Sequence, residues 1–480
     1  MNFRLIKQIL GWILLFEAGF LLIPITTALV YRETESLLWF LLTLGICLAI
    51  GLLLVLTFRP KTTDLYSREG FVIVALSWVV LSLFGALPFT LSGFIPSYLD
   101  ALFETVSGFT TTGATILTDV ETLSKSMLMW RSFTHWIGGM GVLVFIMAFI
   151  PLSGGQNLHI MQAESPGPSV SKLVPRVRTT AIILYSLYLG LTVLMFLALL
   201  IGGMPVFDAL TTTFGTAGTG GFGVHNESIA AYKPALQIIV TVFMILFSIN
   251  FNSYYLLYLR KFKESFTSEV KTFLVIVLVS VTAIVINTRS LFANLGEGIR
   301  HASFTVASII STTGFTTTDF DLWPNFSKGI LLLLMFIGAC AGSTGGGIKV
   351  SRIMIAVKGA FRELRNAIHP HQTKKVTMDG RPVEDKVVAS SAMYLLIYAL
   401  LFILSAVLIS FEGMDLTSTV SSVASTINNV GPGLGLVGPS CNFAFLSGFS
   451  KVVLIFDMLA GRLELFPMIL LFSPVTWKRS

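Results

Sequence analysis

The chain has 480 residues, of which 54% are hydrophobic and only 12% charged, with a formal net charge of +7. Soluble domains carry about 25% charged residues, so a soluble enzyme is excluded, as is a disordered chain. A polytopic membrane protein remains, and its 41 glycines need a reason, because glycine is poor helix material.

Apolar runs long enough to cross a hydrocarbon core of about 30 Å recur near 9–31, 36–58, 70–94, 127–150, 180–202, 234–259, 272–288, 328–358, 388–411 and 447–473, which predicts ten spans. No small-residue cleavage site follows the first run, so it is read as a retained helix. Four shorter, more polar segments lie between alternate spans, near 99–118, 206–224, 299–318 and 415–436. Arg4, Lys7 and the stretches 59–68, 172–178, 260–271, 349–386 and 478–479 hold 23 of the 32 Lys and Arg. All fall on one side of a ten-span chain, which places both termini in the cytoplasm. That bias accounts for the basic charge without nucleic acid. The opposite ends carry Asp100, Glu104, Asp119, Glu121, Asp208, Glu227, Asp319, Asp321, Glu412 and Asp415. They form an outer mouth attractive to cations, or are ordinary loop charge. Cys47, Cys340 and Cys441 have no disulfide or zinc spacing, and His369 and His371 read as solvated in a basic loop.

The short segments are related. Asp100–Gly113 reads DALFETVSGFTTTG and Asp208–Gly221 reads DALTTTFGTAGTGG; His301–Gly314 reads HASFTVASIISTTG and Ser418–Gly431 reads STVSSVASTINNVG. Each becomes rich in Ser, Thr or Asn before a Gly and sits between two spans, so a unit of span, short helix, Gly loop and span occurs four times. Non-helical backbone at membrane depth is tolerated only where protein or water satisfies it. Glycine reaches positive φ without a Cβ clash, so neighbouring carbonyls can face one axis. Four such loops can replace the hydration shell of a cation.

With HWIGGMGVLVF (135–145), AESPGPSVSKLVPR (163–176), GSTGGGIKVSR (342–352) and INNVGPGLG (427–435), the chain resembles the Trk/Ktr/HKT superfamily of potassium transport proteins, in its TrkH/TrkG branch. The resemblance implies an all-α polytopic fold, with four span–pore-helix–span repeats around a pore and two extra N-terminal helices. The units fall at 1–62 (two-helix unit), 63–155, 172–265, 266–370 and 386–480. It maps a potassium filter onto Thr111, Thr112 and Gly113; Thr219, Gly220 and Gly221; Thr312, Thr313 and Gly314; Asn429, Val430 and Gly431. Only the third-position Gly is common to all four, and Ala114, Phe222, Phe315 and Pro432 follow it. Four unlike walls put strict selection of potassium over sodium in doubt.

The eighth span is interrupted by Gly338–Gly347, and three consecutive glycines do not sit cheaply in a helix interior. An intramembrane loop below the filter is favoured over a plain kink. The resemblance makes Gly342, Ser343, Thr344, Gly345, Gly346, Gly347 and Lys349 a gate. Arg462 in the last span either lies near the permeation path, contacts this loop and repels cations, or snorkels to the cytoplasm. Asp457 is too far round the helix to pair with it, and Glu17 in the first span packs or snorkels. No intramembrane nucleophile, metal set or acid–base pair is found, so the chain is expected not to be an enzyme. Its expected function is gated potassium uptake at the bacterial cytoplasmic membrane, with sodium and rubidium as further candidate ions. Ion-coupled symport by alternating access is the alternative. No organic cofactor is expected. The resemblance further implies a homodimer and a cytosolic TrkA-like nucleotide-binding subunit, for which the basic 349–386 loop is either a platform or positive-inside bias alone.

Overall fold

The computed structural model describes residues 1–59, 67–139, 141, 177–369 and 375–477, and is mostly helical. An N-terminal unit holds α1 (Phe3–Phe20), α2 (Leu22–Tyr31) and α3 (Thr34–Thr57). Next come α4 (Ser67–Gly85), α5 (Leu87–Leu91), α6 (Tyr98–Phe109) and α7 (Lys125–Gly139). They are followed by α8 (Val177–Ile201), α9 (Val206–Ala217), α10 (Pro234–Phe247), α11 (Phe251–Tyr258) and α12 (Phe262–Ser265). A third group comprises α13 (Ser268–Asn287), α14 (Leu295–Ile310), α15 (Asn325–Ile337) and α16 (Val350–Ile368). A two-stranded antiparallel hairpin, β1 (Thr377–Met378) and β2 (Arg381–Pro382), leads to α17 (Asp385–Ile409), α18 (Leu416–Ile427), α19 (Gly448–Arg462), α20 (Phe466–Phe472) and α21 (Pro474–Trp477).

Six helical segments among the described residues are long and apolar enough to cross a membrane: Phe3–Tyr31, Thr34–Thr57, Arg68–Leu91, Thr179–Ile201, Ser268–Asn287 and Asp385–Glu412. The pair α10 and α11 makes a seventh if counted as one, but it is bent by 89°, so the expected straight span over 234–259 is not formed. The bend has no Gly or Pro; residues 338–349 satisfy its free backbone groups, with Cys340 N donating to Ser248 O (3.1 Å) and Phe251 N donating to Gly342 O (3.0 Å). The expected continuous span over 447–473 is also broken, between α19 and α20, where Glu464 and Leu465 take φ of 58° and 66°. Pro467, the second residue of α20, has no N–H to continue the ladder. The predicted break in 328–358 is present, between Ile337 and Val350. The second half of the 127–150 span, the 163–176 motif, His371 and the unit boundaries near 62, 155, 172 and 370 lie outside the described residues.

The four polar segments form helices too short to cross: α6, α9 and α18 have 12 residues and α14 has 16, about 18–24 Å at 1.5 Å per residue. Their starts are set by caps and first-turn acids. Ser97 accepts from Asp100 N (3.4 Å), Asn294 from Glu297 N (2.8 Å) and Asp415 from Ser418 N (3.1 Å), while Pro205 precedes α9. The apolar core is continuous from α1 through α4, α6 and α7 to α19, with Ile13, Trp78, Phe103, Trp130 and Leu454 fully or almost fully buried. It fixes the short helices against the spans and so positions the loops that follow them.

Candidate functional site

All four short helices end in the same turn. Thr111, Thr219, Thr312 and Asn429 stand at φ of 55°, 57°, 60° and 56°, in the left-handed region. The next amide closes back five residues: Thr112 N to Ser107 O (2.9 Å), Gly220 N to Gly215 O (2.8 Å), Thr313 N to Ser308 O (2.9 Å) and Val430 N to Ser425 O (2.8 Å). The first-position amides close back three residues, at 3.0–3.2 Å. This is the Schellman arrangement, which normally places Gly or Asn at the left-handed residue. β-Branched Thr there costs about 1–2 kcal/mol, and three of the four loops accept it. The third residue is again left-handed: Gly113 (81°), Gly221 (78°), Gly314 (81°) and Gly431 (101°).

These glycines close a ring. A Cβ on Gly113 would strike the Gly220 carbonyl, one on Gly221 the Thr313 carbonyl, and one on Gly314 the Val430 carbonyl. The circuit returns when Gly431 meets Thr112, whose carbonyl oxygen would lie 2.8 Å from the added carbon. Each third-position Gly therefore abuts the second-position carbonyl of the next loop. A cavity of about 180 Å³ opens on one side, lined by all four glycines. The twelve loop residues singled out from the sequence are brought together, and every one whose side chain is larger than hydrogen is fully buried.

Side chains lock neighbouring loops. His135 Nδ1 bonds Gly108 O (2.8 Å) and its Nε2 accepts from Phe222 N (3.2 Å), tying the first loop's helix to the second loop. Arg131 Nε donates to Glu104 Oε1 (2.6 Å) and Nη1 to Gly223 O (3.1 Å), with its guanidinium over the Phe222 ring. Glu104 also accepts from Ile116 N and Thr115 Oγ1, both at 3.0 Å. The expectation that Glu104 is an outer-mouth charge is thus corrected: it is a buried brace. Asn429 Nδ2 donates to Thr112 Oγ1 and Met458 O, both at 2.9 Å.

On the side away from the cavity, the Gly-rich segment is pressed against loops three and four. Gly346 N donates to Thr312 Oγ1 (2.7 Å) and Gly347 N to Asn428 O (3.1 Å). A Cβ on Gly345 would lie 2.9 Å from Ser311 O. Ser343 Oγ turns back to Cys340 O (2.7 Å), and Thr344 Oγ1 donates to Phe247 O (3.1 Å). Lys349 is buried and reaches the Gly345 and Gly346 carbonyls, the latter at 3.1 Å. Arg462 Nη1 donates to Thr344 O (2.8 Å) and Nη2 to the Gly138 and Gly139 carbonyls, the latter at 2.8 Å. Arg462 therefore meets the Gly-rich segment, and Asp457 does not pair with it but accepts from Ser405 Oγ (2.7 Å). Glu17 is fully buried. Arg352 pairs with Glu464 (Nη1 to Oε1, 2.9 Å).

The TrkH family, described as cation transport protein, matches residues 38–478. The chain belongs to the TrkH family. Its relatives include the Trk system potassium uptake protein TrkH of Escherichia coli K12, 38% identical over the whole of both chains. The protein of that name from Salmonella typhimurium is 37% identical over the same extent, and TrkG of E. coli K12 is 33% identical over 99% of each chain. The crystal structure of the potassium transporter TrkH from Vibrio parahaemolyticus superposes with a TM-score of 0.90, 34% identity and complete coverage of both chains.

Some site residues of this TrkH-family chain escaped the sequence reading. Thr111, Thr219 and Thr312 were named from the sequence, but their left-handed backbone was not, because propensity argues against it. His135 lay in a quoted motif without a role. Glu269, on α13, accepts from Ala341 N (2.7 Å) and Ser351 N (3.1 Å) and so holds both flanks of the Gly-rich segment. A carboxylate in the first turn of an apolar span was the available signal.

Proposed function

We propose that the chain carries potassium across the bacterial inner membrane through one gated pore. Its selectivity filter is built from the backbone of Thr111–Gly113, Thr219–Gly221, Thr312–Gly314 and Asn429–Gly431. The single observation that carries this reading is the closed circuit of Gly-to-carbonyl contacts, formed by loops that repeat one strained backbone. Strain held in four matching places marks function, and carbonyls on one axis suit a dehydrated cation. The names of the relatives, potassium uptake proteins, support the choice of ion.

In this reading the chain has ten spans, both termini in the cytoplasm, and a two-helix unit at 1–62. Pore repeats follow at 63–155, 172–265, 266–370 and 386–480. The gate is Gly342–Gly347 with Lys349 and Arg462: two cations below the loops repel a passing ion until the segment moves. The unlike tails after the third Gly leave sodium and rubidium as further candidate ions beside potassium. A homodimer, and a cytosolic TrkA-like subunit supplying nucleotide control, complete the assembly.

A second reading, proton-coupled symport, rests on Asp457. Its carboxylate is buried, with Oδ2 unpartnered among the described residues, one residue from Met458, whose carbonyl holds Asn429. Currents from the purified protein in planar bilayers separate the two. Discrete openings passing many ions support the pore. Turnover that stops when the proton gradient is collapsed supports symport, and absence of any potassium or rubidium flux refutes both.

A further inference from the structure

Helix α16 leaves the Gly-rich segment with two faces of different chemistry. Ile355 and Gly359 are buried against Val388 of α17 and Val376 beside the hairpin. On the opposite side Val357, Phe361, Leu364 and Ile368 are 47%, 65%, 63% and 72% exposed. At about 100° per residue these four occupy an arc of roughly 60°, and Lys358, Arg362 and Arg365 form the edge beside it. With Lys375 those three cations line a groove of about 450 Å³. Lys358 Nζ donates to Thr377 O (2.9 Å), and Arg362 pairs with Asp385 (2.5 Å) and Glu363 (2.9 Å). The side chains of Arg365 and Lys375 have no hydrogen-bonded or ionic partner among the described residues.

The neighbours fix the depth of this helix. Asp385 is the first residue of a span, and Asp379, in the hairpin turn, accepts from the amide of Ser268, the first residue of another (2.6 Å). The stripe and its basic edge therefore lie level with the ends of two spans, where hydrocarbon gives way to headgroups. A helix with an apolar stripe flanked by cations suits that interface, and basic pockets at the cytoplasmic side bind anionic headgroups.

We propose that α16 lies in the inner leaflet with Val357, Phe361, Leu364 and Ile368 in the acyl chains, and that Arg365 and Lys375 bind the phosphate of an anionic phospholipid. The site rests on the membrane orientation proposed above but not on what the pore conducts. The test uses full-length protein carrying Cys441→Ser and a spin label on Phe361→Cys, reconstituted in phosphatidylglycerol/phosphatidylcholine liposomes. The expected label is more accessible to oxygen than to a water-soluble nickel chelate. Greater nickel access overturns the proposal, and access to neither reagent overturns it in favour of a protein cover. By native mass spectrometry of the detergent-solubilised protein, Arg365→Gln and Lys375→Gln should each weaken phosphatidylglycerol binding about fivefold and leave phosphatidylcholine binding unchanged. Equal loss for both lipids, or none, overturns the headgroup assignment. A membrane-impermeant maleimide that labels Lys263→Cys in inside-out vesicles but not in whole cells checks the orientation separately.

Discussion

Gly314→Ala separates two costs that a glycine at positive φ combines. Gly314 stands at φ 81° with the Val430 carbonyl where a Cβ would be, and Gly203 stands at φ 85° with nothing within 4 Å. An L-residue in the left-handed region costs about 1–2 kcal/mol, so both alanine variants should lose that amount of stability. Only Gly314→Ala must also displace the Val430 carbonyl, one of the oxygens proposed to replace water around the ion. Loss of about 1.4 kcal/mol at the ion's barrier is a tenfold change in rate, and a displaced carbonyl should exceed it. Rubidium uptake into liposomes, at matched amounts of folded protein, should fall at least tenfold for Gly314→Ala and stay near wild type for Gly203→Ala. Equal flux in the two variants would refute the ring as the conducting path.

Arg462→Ala removes the donors to Thr344, Gly138 and Gly139 and should raise rubidium flux several-fold in the absence of any partner; unchanged conductance and gating would remove Arg462 from the gate. Arg131→Ala leaves the Glu104 carboxylate buried without its cation, and should lower stability by about 3–5 kcal/mol, read as a fall in Tm. The double variant Glu104→Gln/Arg131→Met should recover most of that loss. The Ser418 hydroxyl and amide hold the exposed Asp415 carboxyl below its ordinary value of 3.8. Its stabilisation is therefore complete above that pH and lost as pH falls through the lowered value. The Tm gap between wild type and Asp415→Asn should be widest near neutrality and narrow in acid.

Much of the membrane architecture was legible because hydropathy and chain length are local quantities. So were the four loops, since a Thr/Gly run ending a short polar segment recurs in register. The bend between α10 and α11 was not. Ser248, Ile249 and Asn250 carry no helix breaker, and the bend exists because Cys340 and Gly342, some ninety residues away, take its backbone hydrogen bonds. Glu104 was misplaced for a similar reason. Its partner Arg131 lies 27 residues on, and charge alone made it resemble its neighbours at the outer ends. Thr111, Thr219 and Thr312 were counted as filter residues, but their left-handed backbone opposes their own propensity. Such local conflict is expected where structure serves function before stability.

The four loops share a backbone but not a setting, and the difference bears on the proposed gate. Loops one and two are joined through His135 and Arg131, side chains of a single helix, α7. Loops three and four instead supply acceptors to the Gly-rich segment, through Thr312 Oγ1 and Asn428 O. Withdrawal of Gly345–Gly347 must break both bonds, and one of them belongs to Thr312, a residue of the proposed filter that stands in the left-handed region. If this segment is the proposed gate, it is not independent of the proposed filter. Its opening changes what holds loops three and four while loops one and two keep their braces, so selectivity measured in a constitutively open variant should differ from wild type through that half of the ring.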